Sequence, residues 1–216
     1  VERGRPAACE QPAVPGAELL HRAQRGVPAT ALSAQLAALD FPPPVPGTFP
    51  LAPPVPADIA LRSATGADLG FLRALYGELR ADELACVPWP EPLKRSFLDQ
   101  QFALQHRHYV AHHPEADFLV IERAGHAVGR LYLDRSGADW QLIDLGLLAA
   151  ARGGGLGGAL LRRMQALAGT GGANLALHVQ RDNLRARVLY ERLGFRAGAL
   201  AGHHMAMRWA PGDGVS

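Results

Sequence analysis

The residues best suited to chemistry are the glycines of Arg152-Gly-Gly-Gly-Leu-Gly-Gly158, which follow the apolar run Leu142–Leu148 and precede Ala159-Leu-Leu-Arg-Arg-Met164. An apolar run, a glycine cluster and a helical pattern in that order read as strand, turn and helix. A phosphate reaches a row of backbone N–H groups only where no Cβ intrudes and the chain can adopt positive φ. Gly153, Gly154, Gly155 and Gly157 meet both conditions. The helix beyond begins with unpaired N–H groups, and its dipole favours an anion there by about 0.3–1 kcal/mol. Arg152 adds a formal positive charge. A Walker turn would close on Gly-Lys-Ser or Gly-Lys-Thr, and a dinucleotide fold would carry its glycines in an early strand–helix unit with an acidic residue about twenty positions on. Neither pattern is present. The alternative use of these glycines is tight packing of a helix against a strand.

A second constellation lies downstream. Asn174–Gln180 alternates apolar and polar residues as a strand does, and Asn183 is a good N-cap for a helix. Ala186, Leu189, Tyr190 and Leu193 share one face of that helix, and Gly194 is placed to stop it before Phe195.

Together the two constellations resemble the GNAT superfamily of acetyl-CoA-dependent N-acyltransferases. The family's pyrophosphate turn, Arg/Gln-x-x-Gly-x-Gly/Ala, is matched by Arg152, Gly155 and Gly157; its later Asn, Ala, Tyr, Gly-Phe pattern is matched by Asn183, Ala186, Tyr190, Gly194 and Phe195. The resemblance covers roughly Asp58 to Trp209. It implies an α/β fold with a central mixed, splayed β-sheet flanked by about four helices, in the order β-α-α-β-β-β-α-β-α-β-β. It also implies acetyl-CoA as co-substrate. The pyrophosphate would lie on Arg152, Gly153, Gly154, Gly155, Leu156, Gly157 and Gly158, and the pantetheine beside Leu145, Gly146 and Leu147. Asn183 and Ala186 would complete that site, although Asn183 also reads simply as a cap.

The activity so implied is acetyl transfer to a primary amine by direct attack, the acceptor being a small amine, an amino-acid-like compound or a protein amine. A non-catalytic acyl-CoA-binding or sensing module on the same fold is the alternative. A third reading, a nucleotide-binding protein of another fold, conflicts with the missing Walker residues. Tyr190 is the residue that the family pattern places as the acid for a departing thiolate, with a core tyrosine as its other reading. An alkylamine is mostly protonated at neutral pH, so something must take its proton. Asp144 and His178 are the candidate bases, His203 and His204 are further ones, and ordered water often serves in the family. A homodimer would be ordinary for it.

Substrate recognition is expected from Asp82-Glu-Leu-Ala-Cys-Val-Pro-Trp89-Pro-Glu91, where carboxylates and an indole suit a cationic amine, unless Trp89 merely covers the core. His106, His108, His112 and His113 cluster near the end of one predicted helix, but without the Glu of a His-Glu-x-x-His site no metal is expected.

Composition bounds the remainder. In 216 residues, 22 Lys and Arg against 20 Asp and Glu leave a net charge of +2, so nothing draws the chain to nucleic acid. Two cysteines, Cys9 and Cys86, make no disulfide framework and fit a reducing cytoplasm. No apolar run has the length of a membrane span, and no signal-peptide core is seen, so a cytoplasmic protein without membrane contact is expected. Twelve of the seventeen prolines fall in residues 1–56, concentrated in Phe41–Pro56, which excludes helix and central strand there. Residues 1–57 therefore read as an extension and linker, disordered or incidental, with residues 1–40 as a partner-binding arm in the alternative reading and two helical turns expected at Ala31–Leu39. The catalytic domain spans 58–210, and 211–216 form a tail. Within the domain, Thr65 and Asp68 resemble a capping box, Leu69, Leu72, Tyr76 and Leu79 mark a first helix, and a second runs from about Pro92 to His112. Strands are expected at Ile59–Arg62, Phe118–Glu122, Ala127–Leu133 and Trp140–Leu147, and a buried stripe at Leu156, Leu160, Met164 and Leu167.

Overall fold

The computed structural model describes residues 40–44, 49 and 55–212. The helical turns expected at 31–39 and residues 213–216 lie outside that set. The chain forms β1 (Ile59–Ser63), α1 (Leu69–Leu79), α2 (Ala81–Ala85), α3 (Glu91–His112), β2 (Asp117–Arg123), β3 (His126–Asp134) and β4 (Asp139–Leu147), followed by α4 (Leu156–Thr170), β5 (Asn174–Gln180), α5 (Leu184–Arg192), β6 (Arg196–Ala201) and β7 (His204–Trp209). This is the expected order with one addition: α2 is a five-residue helix where a loop was expected. Short 3₁₀ turns precede α1 (Gly66–Asp68) and follow β4 (Ala149–Ala151).

Local chemistry accounts for the ends of these elements. Asp68 receives both the backbone N–H of Thr65 at 2.8 Å and its hydroxyl at 3.0 Å, so the capping box fixes the entry to α1. Ala124 (φ 49°) and Gly125 (φ 78°) make the tight turn between β2 and β3. Gly194 ends α5 at φ 82°.

The seven strands lie in the order β1-β2-β3-β4-β5-β7-β6, antiparallel throughout except for the parallel pair β4 and β5. Helices cover both faces, which is why β2 reads as a continuous apolar run and not as an alternation. On one face, Leu131, Leu133, Leu175 and Leu177 pack against Leu160, Leu161 and Met164 of α4. On the other, Phe118, Val120 and Tyr132 pack against Leu72 and Tyr76 of α1 and Phe102 of α3. Leu75 is buried in α1 beside Leu72 and Tyr76, and α4 adds Leu161 and Ala168 to its stripe, with Leu167 only partly covered. From the proline-rich stretch, Phe41 lies 4.7 Å from the His106 ring, while Phe49 and Val55 are buried in the core under α4.

Two irregularities in the sheet set up the site. The register runs from Gly129↔Leu147 to Tyr132↔Asp144 and then jumps to Leu133↔Leu142, so Ile143 is an extra residue in β4. Such a bulge re-aims side chains, and both Ile143 and Asp144 here turn toward α1 and α3. In addition, β4 pairs with β5 only from Asp139↔Asn174 to Leu142↔Leu177. Beyond that point the two strands separate.

Candidate active site at the parted strands

Past Leu142 and Leu177, the edge of β4 that faces β5 has no strand partner, and backbone groups left so are a template for an extended ligand. A cavity of about 280 Å³ opens there, with Tyr76 from α1, Tyr109 from α3, Asp144 from β4, His178 from β5, and Asn183 and Tyr190 from the α5 segment in its walls. A second cavity of about 270 Å³ lies away from the parted strands, between Phe41–Pro44 and β1–β2.

The glycine turn borders the separation. Gly153 and Gly155 sit at φ 83° and 81°, a conformation that L side chains rarely adopt. A Cβ added to Gly153, Gly154 or Gly155 would meet nothing within 4 Å, so the outer face of the turn is open. The first helical bond of α4 runs from the Ala159 N–H to the Gly155 carbonyl at 2.9 Å, and the N–H groups of Gly155, Leu156, Gly157 and Gly158 precede it without helical partners. Leu156 is fully buried and anchors the turn, while a Cβ on Gly158 would stand 3.6 Å from Leu189 of α5. Both readings of the cluster therefore apply to different glycines: the first three leave space, and Gly158 packs. Arg152 folds back over the end of β4, where its Nε donates to the Leu147 carbonyl at 2.7 Å. An open face at Gly153–Gly155 and helix N–H groups without helical partners fit a diphosphate.

On α5, Asn183 uses its side-chain oxygen to accept the Ala186 N–H at 3.1 Å, so it caps the helix and lines the cavity at once. The Tyr190 ring packs 5.6 Å from Phe195. Burial, followed by the charge of Asp144, pushes its hydroxyl up to about 12.

Asp144 is tightly held. Its Oδ2 accepts from Arg130 at 2.6 Å and from the Tyr109 hydroxyl at 3.2 Å, and the same Arg130 nitrogen donates to Gln105 Oε1 at 2.9 Å. Arg130 is 2 % exposed, so its side of the pair is shielded from water, while Asp144 faces the cavity. Burial, followed by the Asp144 charge, raises the Tyr109 hydroxyl well above the usual phenol range. Across the gap, His178 is exposed, with Nδ1 3.5 Å from Gln141 Nε2. His204 lies diagonally from it on β7 and also lines the cavity. His203 does not line it, and its backbone carbonyl accepts from Arg181.

Arg130, Tyr109 and Gln105 belong to no motif in the sequence. An arginine inside the apolar run Ala127–Leu133 was the available signal, since a buried charge demands a partner. The expected recognition wall divides: Glu83 reaches the cavity and holds Arg80 at 2.7 Å, whereas Trp89 packs on Phe97 at 5.4 Å, outside the cavity lining. The histidines divide as well, with His108 and His112 keeping their rings 4.1 Å apart. His106 is buried, His112 Nδ1 lies 2.8 Å from the His108 carbonyl, and His113 pairs with Asp134 at 3.0 Å. Among the described residues no group of His, Cys, Asp and Glu has the arrangement of a metal site, and no helix is long and apolar enough to cross a membrane.

Comparison with known proteins agrees with this fold. The N-acetyltransferase PaiA of Thermoplasma acidophilum, in complex with coenzyme A, aligns with a TM-score of 0.55 at 18 % identity over 70 % of this chain and 98 % of that one. RimL, a ribosomal L7/L12 α-N-protein acetyltransferase in complex with coenzyme A, aligns at 0.54 with 15 % identity over 73 % and 96 %. A Corynebacterium glutamicum structure described as histone acetyltransferase HPA2 and related acetyltransferase gives 0.53 at 25 % identity over 71 % and 97 %. No curated protein matches by sequence. The profile of the acetyltransferase (GNAT) family matches residues 75–195, more than half of the sequence and both motifs within it, and this chain belongs to that family.

Proposed function

We propose that this chain is an N-acetyltransferase that moves the acetyl group of acetyl-CoA to a primary amine, carried by a small molecule or by a protein. The observation that bears the reading is the separation of β4 from β5, with an open glycine turn a few residues beyond the end of β4, which puts a free strand edge and a diphosphate site next to each other along the chain. Coenzyme A bound to two structural neighbours supports it.

The N–H groups of Gly155 to Gly158, with the open face of Gly153 and Gly154, would hold the diphosphate, and the free edge of Leu145, Gly146 and Leu147 the pantetheine amides. Asn183 lines the cavity at the start of α5, whereas Ala186 packs against the core outside that lining. When bound, acetyl-CoA supplies an acyl group activated as a thioester. Backbone N–H groups of β4 are rigid donors where negative charge develops on an acyl oxygen. With its hydroxyl pushed up to about 12, Tyr190 keeps its proton at neutral pH and donates it toward the sulfur. Both donors to Asp144 use Oδ2, and its Oδ1 receives no hydrogen bond from the described residues, so this carboxylate orients an ammonium N–H in the cavity. His178, exposed on the facing strand, takes the amine's proton directly or through water.

Isothermal titration with acetyl-CoA tests the reading, comparing wild type with Gly155→Glu, which sets a carboxylate on the open face of the turn. Binding lost in a folded variant, followed by amine-dependent thiol release from the wild type, is the expected result. A wild type that gives no heat of binding would sink the proposal, and binding without thiol release from any amine would leave the binding-module reading in its place.

A further inference from the structure

The end of α1 meets the chain where the phosphate turn begins. Oε1 of Glu78 accepts the backbone N–H of Ala149 and lies 3.7 Å from Nη2 of Arg152. Ala149 opens the 3₁₀ turn Ala149–Ala151, whose N-cap Leu148 contributes no side-chain bond, so the first N–H of that turn is satisfied from a different helix. The next residue of α1, Leu79, is packed so closely on β4 that a Cβ on Gly146 would come within 2.8 Å of its Cδ1. Two adjacent residues thus fasten α1 to the end of β4. Arg152 is caught between them and the strand, with Nε on the Leu147 carbonyl and Nη2 toward Glu78. The same end of α1 supplies Tyr76 and Leu79 to the cavity, so this fastening also sets one of its walls.

A carboxylate beside an anion site is anomalous unless it does something there. We propose, on the reading that the turn takes the diphosphate of coenzyme A, that Glu78 is a positioning residue with two separable functions: its oxygen fixes the Ala149 N–H and so the entry to the turn, and its charge holds Arg152 back from the incoming anion. The first function favours binding by pre-forming the turn. The second opposes it, because Arg152 must leave one carboxylate to reach a phosphate. With Arg152 35 % and Glu78 41 % exposed, solvent screens the ion pair, and its loss is worth no more than about fivefold in affinity.

Two substitutions separate the functions. Glu78→Gln keeps an acceptor oxygen for Ala149 and removes the charge, whereas Glu78→Ala removes both. By isothermal titration with coenzyme A, Glu78→Gln should bind about two- to fivefold tighter than wild type, and this gain should disappear in an Arg152→Gln background, as a pairwise coupling requires. By hydrogen exchange on the free protein, the amides of residues 149–155 should exchange about tenfold faster in Glu78→Ala and at the wild-type rate in Glu78→Gln. Equal or weaker binding by Glu78→Gln, or a gain that survives without Arg152, would overturn the charge function, and unchanged exchange in Glu78→Ala would overturn the tether. A wild type that takes up no coenzyme A would instead defeat the proposed function together with the charge function, while the exchange data still decide the tether.

Discussion

The two banks of the cleft are built by different means. The bank beside the glycine turn is backbone, contained in the seven residues Arg152–Gly158, and its donors need no side chain to aim them. The bank beneath α1 and α3 is side chains brought from three elements: Arg130 from β3, Asp144 from β4, Gln105 and Tyr109 from α3. A backbone site tolerates change around it as long as its φ angles survive. A buried charged network fails as a unit when one member is removed. This difference predicts which variants lose binding, which lose stability and which lose rate.

The largest expected effect separates rate from binding. Tyr190→Phe keeps the ring against Phe195 and removes the one hydroxyl assigned to the sulfur, so amine-dependent thiol release should fall by about 10²–10⁴ while titration gives a coenzyme A affinity close to wild type. If affinity collapsed as well, the two banks would not be separable in the way their construction suggests.

Next in size is the charge pair. Arg130→Met leaves the Asp144 carboxylate facing a shielded, apolar neighbour and should cost about 3 kcal/mol in urea denaturation, at the low end for a broken buried pair because Asp144 retains 16 % side-chain exposure. Adding Asp144→Asn should restore most of that loss, since the uncompensated charge is then gone. Coenzyme A affinity should be nearly the same in all three proteins. A marked loss of affinity in Arg130→Met would mean that the side-chain bank also shapes the backbone bank.

The contrast also explains what was legible beforehand. The glycine turn, the Asn183 cap, the Gly194 stop and the order of strands are local, and residue types within a few positions of one another specify them. Asp144 is different. Strict alternation from Leu142, which is buried under α4, would send Asp144 into that same core; the extra residue Ile143 turns it to the opposite face, and nothing in a pattern of period two announces the bulge. Its partners lie 14 and 35 positions away, so only the finished sheet and α3 bring them together. The helix α2 carries no sequence signal for another reason: five residues are too few for a periodic pattern, and the Arg80–Glu83 pair at its start forms only once the chain is folded. Trp89 illustrates the converse, a residue type suited to recognition that the fold spends on Phe97.

Within the backbone bank, two neighbouring glycines give a finer test. Gly153 sits at φ 83° and Gly154 lies outside the left-handed region, yet a Cβ on either meets nothing within 4 Å. Gly153→Ala should therefore cost about 1 kcal/mol of stability through backbone strain alone, and Gly154→Ala almost none. Both place a methyl group on the open face, so both should weaken coenzyme A binding. Thermal melts and titration of the pair would show a binding loss without a stability loss at Gly154, and equal melting losses at the two positions would contradict the assigned conformations.

The smallest effect is a pH dependence that belongs to the side-chain half. His106 is buried in α3 with Phe41 4.7 Å and Phe102 6.0 Å from its ring and Nε2 3.3 Å from the Asp40 carbonyl. Burial lowers its pKa, the Asp40 carbonyl opposes that shift, and the charges of Arg130 and Arg107 reinforce it. The unfolded imidazole, near 6.5, takes its proton at a higher pH than the folded one, so the unfolded chain binds more protons as pH falls and stability drops through and below about 6.5. Above that pH the contribution is fully present. Denaturation midpoints taken from pH 7.5 to 5.5 should decline in wild type and decline less in His106→Gln, which cannot take up the proton. Equal slopes in the two proteins would assign the decline to other groups, and a faster loss of exchange protection at 153–158 than in α3 on acidification would show that the backbone half, not the side-chain half, yields first.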